Sequence, residues 1–267
     1  MIRFAKAHAY GNDFLYVEDA LVHGVRLDAL AREMCDRHTG VGADGLIVYT
    51  TSDDGASMRL FNADGGRAEV SGNGVRALGA LLARPGAGSR STVTIRTDGG
   101  EKALTLLADD GARKTFRAAM GLPTNLDRSA IDAGGESLEG VTLRIGNPQL
   151  IVLGPLPDDE RFERLGRALE RHERFPDGTN VEFVHVEAPD RLRIRIWERG
   201  CGPTSSSGTG SCASLVAAAA YGGANRRATV IAPGGAQEVE WTEESVYLTG
   251  WAEVVCEGDW LRALPVG

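Results

Sequence analysis

The chain carries one glycine-rich turn twice, 136 residues apart, and this repetition limits what it can fold into. The second copy runs from Trp197 to Ala220, WERGCGPTSSSGTGSCASLVAAAA, centred on Ser207-Gly208-Thr209-Gly210. Serine is a favoured helix N-cap and alanine the strongest helix former, so the turn opens directly into a smooth, buried helix. Gly222 and Gly223 supply the stop. The first backbone N–H groups of such a helix have no partner inside it and sit at the positive end of its dipole. A carboxylate or phosphate fits there without a basic side chain.

The first copy, Phe61 to Leu82, reads FNADGGRAEVSGNGVRALGALL. Aligned without gaps, Phe61 falls on Trp197, Gly66 on Gly202, Ser71 on Ser207, Gly72 on Gly208 and Gly74 on Gly210. Two further echoes keep nearly the same offset. Gly11-Asn12-x-x-Leu15-x-Val17 matches Gly146-Asn147-x-x-Leu150-x-Val152, and Leu30 and Arg32 match Leu165 and Arg167. Three matches in one order predict a duplicated unit and two similar domains about a pseudo-twofold axis. If both turns face the domain junction, one cleft receives two helix N-termini. It also receives Ser71 and Ser207 from opposite sides. That suits holding one small anion and reaching both faces of the atom beside it.

At 267 residues the chain suits two ordinary domains or one large one. The net charge of −8 disfavours nucleic acid or an acidic membrane surface as the main partner. No apolar run approaches the roughly 20 residues of a membrane span. The opening MIRFAKAHAYGNDF lacks the apolar region of a signal peptide. Four cysteines with no close framework point to free thiols in a reducing cytosol.

Alternation and turn residues predict strands over 2–8, 14–18, 46–49, 57–62, 92–97, 102–108 and 141–145. More follow over 180–186, 192–197, 228–232, 236–241, 245–249 and 252–256. Helices are expected over 27–38 and 159–173, besides the two glycine-headed ones. Many strands without βαβ regularity make the class α+β. The Gly/Ser-rich stretch holding Arg90 reads as a surface loop, and the second unit is expected to begin around 111–122.

Gly40 to Gly45 formally matches a dinucleotide-binding GxGxxG but leads into a strand instead of out of one. The GxGxxA at Gly208 has no acidic residue ending the next strand, so a small anion fits it better. Cys35-x-x-His38 is the only ligand-like spacing and lacks partners, so no metal is expected. Cys212 lies about 140° round the helix from Ser207 and reads as core. Cys201 sits in the turn and has no assigned role. Asn12, Asn62, Asn147 and Asn180 each lie beside a turn or strand end, where either a structural amide or a ligand contact is common. Glu198 and Arg199 precede the anion turn. The arginine there either clamps a carboxylate with two hydrogen bonds or makes a surface ion pair.

These residues resemble the diaminopimelate epimerase family, cofactor-independent amino-acid epimerases of bacterial lysine and cell-wall synthesis. The likeness rests on GNDF (Gly11 to Phe14), GVGADG (Gly40 to Gly45), FNADG (Phe61 to Gly65), GNGVR (Gly72 to Arg76) and GNP (Gly146 to Pro148). It continues through HERFP (His172 to Pro176), TNVEF (Thr179 to Phe183), ERG (Glu198 to Gly200) and GTGSCA (Gly208 to Ala213). The resemblance implies two pseudo-symmetric domains, each a β-roll or barrel around a central helix. The expected division is 1–116, with 254–267 returning to that domain, and 117–253. It implies substrate carboxylate binding by the backbones of Gly72, Asn73, Gly208 and Thr209. Asn12, Asn62, Asn147, Asn180, Glu198 and Arg199 would hold the rest of the substrate. The expectations that go with it are no cofactor, a cytoplasmic location and a homodimer.

The departure lies in the chemistry. The family uses two cysteines, a thiolate base and a thiol acid, and this chain has Ser71 and Ser207 in those places. The family's histidine after GNP is replaced by Gln149. Two explanations stand side by side: a cysteine-to-serine form that holds substrate without turnover, or a natural homologue with slower or different chemistry. Gln149 favours the second. The leading expectation is epimerisation of L,L- to meso-diaminopimelate with Ser71 and Ser207 in the catalytic positions. The alternatives are a related cofactor-independent racemase or isomerase for another amino acid, and a non-catalytic amino-acid binder.

Overall fold

The structure, a computed structural model, describes residues 1–83 and 91–265. The stretch around Arg90 expected to form a surface loop lies outside the described residues. The chain divides into two compact units, Met1–Ala118 with residues from Gly250 onward, and Ala119–Thr249.

In unit 1, β1 (Ile2–Ala9) and β2 (Asn12–Glu18) form a hairpin, and α1 (Leu27–Cys35) carries the chain to β3 (Gly45–Ser52), parallel to β2. Then come β4 (Gly55–Asn62), the short β5 (Arg67–Ala68), α2 (Gly72–Leu82), β6 (Thr92–Thr97), β7 (Gly100–Asp110) and β8 (Arg113–Ala119). β3 and β4 are antiparallel, β4 and β6 parallel, and β6, β7 and β8 antiparallel in turn.

Unit 2 repeats this order. β9 (Thr124–Ala133) flanks a hairpin of β10 (Glu136–Ile145) and β11 (Asn147–Leu153), and α3 (Asp159–Glu170) leads to β12 (Asn180–Ala188), parallel to β11. β13 (Arg191–Glu198), the short β14 (Gly202–Thr204) and α4 (Gly208–Tyr221) follow. β15 (Arg227–Ala232) lies parallel to β13, with β16 (Gly235–Trp241) and the start of β17 (Val246–Trp260) antiparallel beyond it. The rest of β17 belongs to unit 1. There it pairs with both β1 and β8, and so closes β1, β2, β3, β4, β6, β7, β8 and β17 into an eight-stranded barrel.

Each unit has one helix inside its strands and one packed on the outside. α4 is buried along most of its length and touches β10, β11, β12, β13, β15 and β16. Its serines do not break the apolar interior, because Ser211 and Ser214 donate their hydroxyls back to the carbonyls of Ser207 and Gly210, each at 2.7 Å. α2 likewise buries the run from Asn73 to Ala80. On the outer helix α1, Leu30, Ala31, Met34 and Cys35 form one apolar face over Leu46, Val48 and Phe61. α3 does the same with Phe162, Leu165 and Leu169 over Val181, Phe183 and Trp197.

Three expectations need correction. α1 stops at Cys35, short of residue 38, because the Asp36 carboxylate accepts the N–H groups of His38 and Thr39 and turns the chain. α3 stops at Glu170 instead of residue 173, and the Glu170 carbonyl takes the N–H of Thr179 at 3.1 Å. The segments expected as separate strands over 245–249 and 252–256 are one strand, β17. Gly250 is not a break. It sits in extended backbone where a Cβ would come within 2.9 Å of Arg76 and 3.1 Å of Tyr10, so glycine makes room for the barrel interior. Among the described residues no helix is long and apolar enough to cross a membrane.

Candidate active site

Ser71 is the N-cap of α2. Its backbone is extended and its Oγ accepts the Gly74 N–H at 3.1 Å. The N–H groups of Gly72 and Asn73, in the first turn, have no acceptor four residues back within the helix. Tyr16, fully enclosed, donates its hydroxyl to the Gly74 carbonyl at 2.9 Å and pins the turn to β2. Burial raises the Tyr16 phenol well above its usual range, with Asp13 adding to the effect, so it stays a donor.

Beside this head runs a line of amides. Asn73 donates to Asn12 at 3.2 Å, Asn12 donates to Asp44 at 2.8 Å, and Arg76 donates to Asn73 Oδ1. Asn73 and Arg76 are buried. Asn62 closes a turn, its carbonyl accepting the Gly65 N–H at 2.9 Å. Its side chain is half-buried and makes no hydrogen bond to another of the described residues.

Ser207 repeats the cap at α4. Its Oγ accepts the Gly210 N–H, also at 3.1 Å, and lies 3.4 Å from the Thr209 hydroxyl. Gly208 and Thr209 supply the N–H groups without helical acceptors. Each head by itself therefore puts backbone donors at the positive end of a buried helix, a setting that suits an anion.

The polar groups under the second head were partly missed from sequence. Gln149 is 1% exposed and Glu182 fully buried. With the Gln149 amide turned so that donors meet acceptors, its nitrogen lies 3.1 Å from both Glu182 oxygens. Its oxygen then accepts from Asn180 Nδ2 and the Thr209 hydroxyl, each at 3.2 Å. Asn180 also accepts the Arg199 N–H at 2.9 Å, so its amide fixes the end of β13. Burial, helped by nearby Glu198, raises the Glu182 carboxyl well above the usual carboxylate range.

Glu198 is half-buried at the end of β13, and Arg199 is exposed, donating to the Asp177 carbonyl at 3.1 Å. Asn147 starts β11, half-buried, with no side-chain hydrogen bond to another of the described residues. Thus Ser207, Thr209, Gln149, Asn180 and Arg199 form one connected network, and Ser71, Gly72, Asn73 and Asn12 surround the other head. Gly40 to Gly45 is a turn feeding β3. No cluster of three or more metal-ligating side chains occurs among the described residues.

Comparison with known proteins identifies the family. The sequence family described as diaminopimelate epimerase matches residues 4–125 and 141–255. Diaminopimelate epimerase of Desulforudis audaxviator (strain MP104C) is 39% identical, covering 98% of this chain and all of its own. That of Parabacteroides distasonis is 38% identical over 96% of this chain and 97% of its own. Among solved structures, a probable proline racemase from Agrobacterium radiobacter K84 superposes with a TM-score of 0.74 at 17% identity, covering 98% of this chain and 93% of its own; the likeness is one of fold.

Proposed function

The chain belongs to the diaminopimelate epimerase family, and from that premise we propose that it binds diaminopimelate and interconverts its L,L and meso forms without a cofactor. Ser71 and Ser207 take the two proton-transfer positions. The N–H groups of Gly72, Asn73, Gly208 and Thr209 hold the carboxylate beside the reacting carbon. Asn62, Asn147, Glu198 and Arg199 engage the rest of the substrate. Asn12 and Asn180 serve through the hydrogen bonds that hold Asn73 and Arg199.

One observation carries this reading. Each of the two matched segments contains a glycine-rich helix head capped by a serine with the same 3.1 Å bond to the third helical N–H. A serine hydroxyl is a far weaker acid than a thiol, so turnover is slow. That weakness favours a second reading, a non-catalytic binder. Cys35, Cys201, Cys212 and Cys256 stand outside any disulfide, which supports placing the protein in the reducing cytoplasm.

Calorimetric binding and solvent-deuterium exchange at the α-carbon test the proposal together. Diaminopimelate should bind better than alanine or proline by several kcal/mol, since each charge-assisted bond lost contributes about 1.5–3 kcal/mol. Equal affinity for alanine would overturn the assignment. Exchange with diaminopimelate supports the epimerase, exchange only with another amino acid a related racemase, and binding without exchange the binder.

A further inference from the structure

The two helix heads share their caps and differ in what lies beneath them. In unit 1 a Cβ on Gly74 would lie 2.8 Å from Ile47 Cδ1. In unit 2 a Cβ on the matching Gly210 would strike the Glu182 carboxyl. Ile47 and Glu182 are the third residues of β3 and β12, the same place in the repeat. Val181 and Phe183 on either side of Glu182 pack toward α3, so period-two alternation sends Glu182 to the other face, under α4.

A polar group enclosed this fully needs a partner, and Glu182 has the Gln149 amide nitrogen at 3.1 Å. The Gln149 oxygen takes the Thr209 hydroxyl proton. With that proton committed, Thr209 can only accept in its 3.4 Å contact with Ser207, so Ser207 is the donor. One Ser207 lone pair already takes the Gly210 N–H. The chain of hydrogen bonds therefore has a direction, from Ser207 through Thr209 and Gln149 to Glu182.

We propose that Glu182 is a positioning residue for Ser207: through Gln149 and Thr209 it sets the direction in which the Ser207 hydroxyl carries its proton. Ser207 keeps its proton on Thr209 and leaves its remaining lone pair to accept. Ser71, above an isoleucine, has no such link from β3. The two proton-transfer positions are thereby unequal, and the inequality is built into one strand residue.

The proposal rests on Ser207 being a proton-transfer position, but its test needs neither substrate nor turnover, so the two can fail separately. Ser207→Cys serves as the reporter, and alkylation by iodoacetamide at position 207 is followed against pH. Fragment-ion mass spectrometry separates that site from Cys201 and Cys212. Glu182→Gln keeps an acceptor for Gln149 and should leave the profile unchanged. Glu182→Ile frees the Gln149 amide to turn and lets Thr209 donate to the thiolate. The apparent thiol pKa should fall by about one unit, the size of one hydrogen bond to a charged group, with alkylation about tenfold faster below it. Gln149→Leu breaks the next link and should give the same shift, so the result does not depend on one variant folding. Equal shifts in Glu182→Gln and Glu182→Ile would assign the effect to charge and overturn the proposal. No shift in either Glu182→Ile or Gln149→Leu would also overturn it.

Discussion

Trp197 donates its indole N–H to the buried Glu170 carboxylate at 2.8 Å, and the same carboxylate accepts the Gly200 N–H at 2.9 Å. Glu170 ends α3, so this pair ties the Glu198-Arg199 turn to the outer helix. The indole ring lies flat on Gly166, where a Cβ would come within 2.5 Å of Cε3.

Gly166→Ala therefore tests the packing. In an open helix that change stabilises by about 1 kcal/mol. Here overpacking against the indole outweighs it and should destabilise by roughly 1–3 kcal/mol. Urea unfolding of the full chain decides the sign, and a more stable variant would mean that α3 and Trp197 are not in this contact.

The serine caps have a structural role apart from chemistry. Ser71→Ala and Ser207→Ala should each lose about 0.5–2 kcal/mol, while Ser→Gly at the same positions should lose only a few tenths. Thermal unfolding of the four variants reads this order directly.

Gly74→Ala and Gly210→Ala should differ although the glycines match in the repeat. The added methyl at Gly74 meets the movable end of Ile47. At Gly210 it meets the Glu182 carboxyl and, at 3.0 Å, Ser207 Oγ. Displacing Glu182 leaves buried polar groups unpaired, costing about 1–3 kcal/mol beyond the packing strain. Equal losses in the two variants, measured by urea unfolding, would contradict the placement of Glu182.

Asp13 gives stability a pH dependence. Burial alone would raise its carboxyl, but Arg37 at 2.7 Å and Lys6 at 2.9 Å more than offset this and hold it below the usual carboxylate value. A depressed pKa contributes stability above the unfolded value of about 3.9 and loses it as pH falls through the folded value. Asp13→Asn should thus be less stable than the parent at pH 7, by roughly 1–2 kcal/mol given the exposed Arg37. The gap should close as the pH drops below about 4. A gap that stays constant down to pH 2.5 (about 1.4 units below that reference) would exclude the linkage.

The helix heads were legible because capping, helix formation and stopping are local. Ser71 and Ser207 cap where the sequence puts them, and Gly222 ends α4. β9 was not legible, since its residues are mostly exposed and show no apolar alternation. β8 was hidden by Lys114, an inward residue 1% exposed and paired with Asp109. Glu182 was misleading for the opposite reason. In the run NVEFV, alternation sends a glutamate away from the apolar face, normally to water, but here α4 covers that face too. Only tertiary packing decides whether such a residue is surface or site.

The most direct measurement is the rate of L,L to meso conversion for the parent, Ser71→Cys, Ser207→Cys and the double variant, with folding checked by circular dichroism. General acid–base groups typically contribute about 10²–10⁴-fold, and epimerisation needs one on each face. The double variant should therefore gain at least about two orders of magnitude, each single variant much less, and diaminopimelate affinity should hold, because backbone N–H groups carry the carboxylate. A folded double variant without activity, or a serine parent already turning over at an ordinary enzyme rate, would contradict the assignment of Ser71 and Ser207 as the proton-transfer positions.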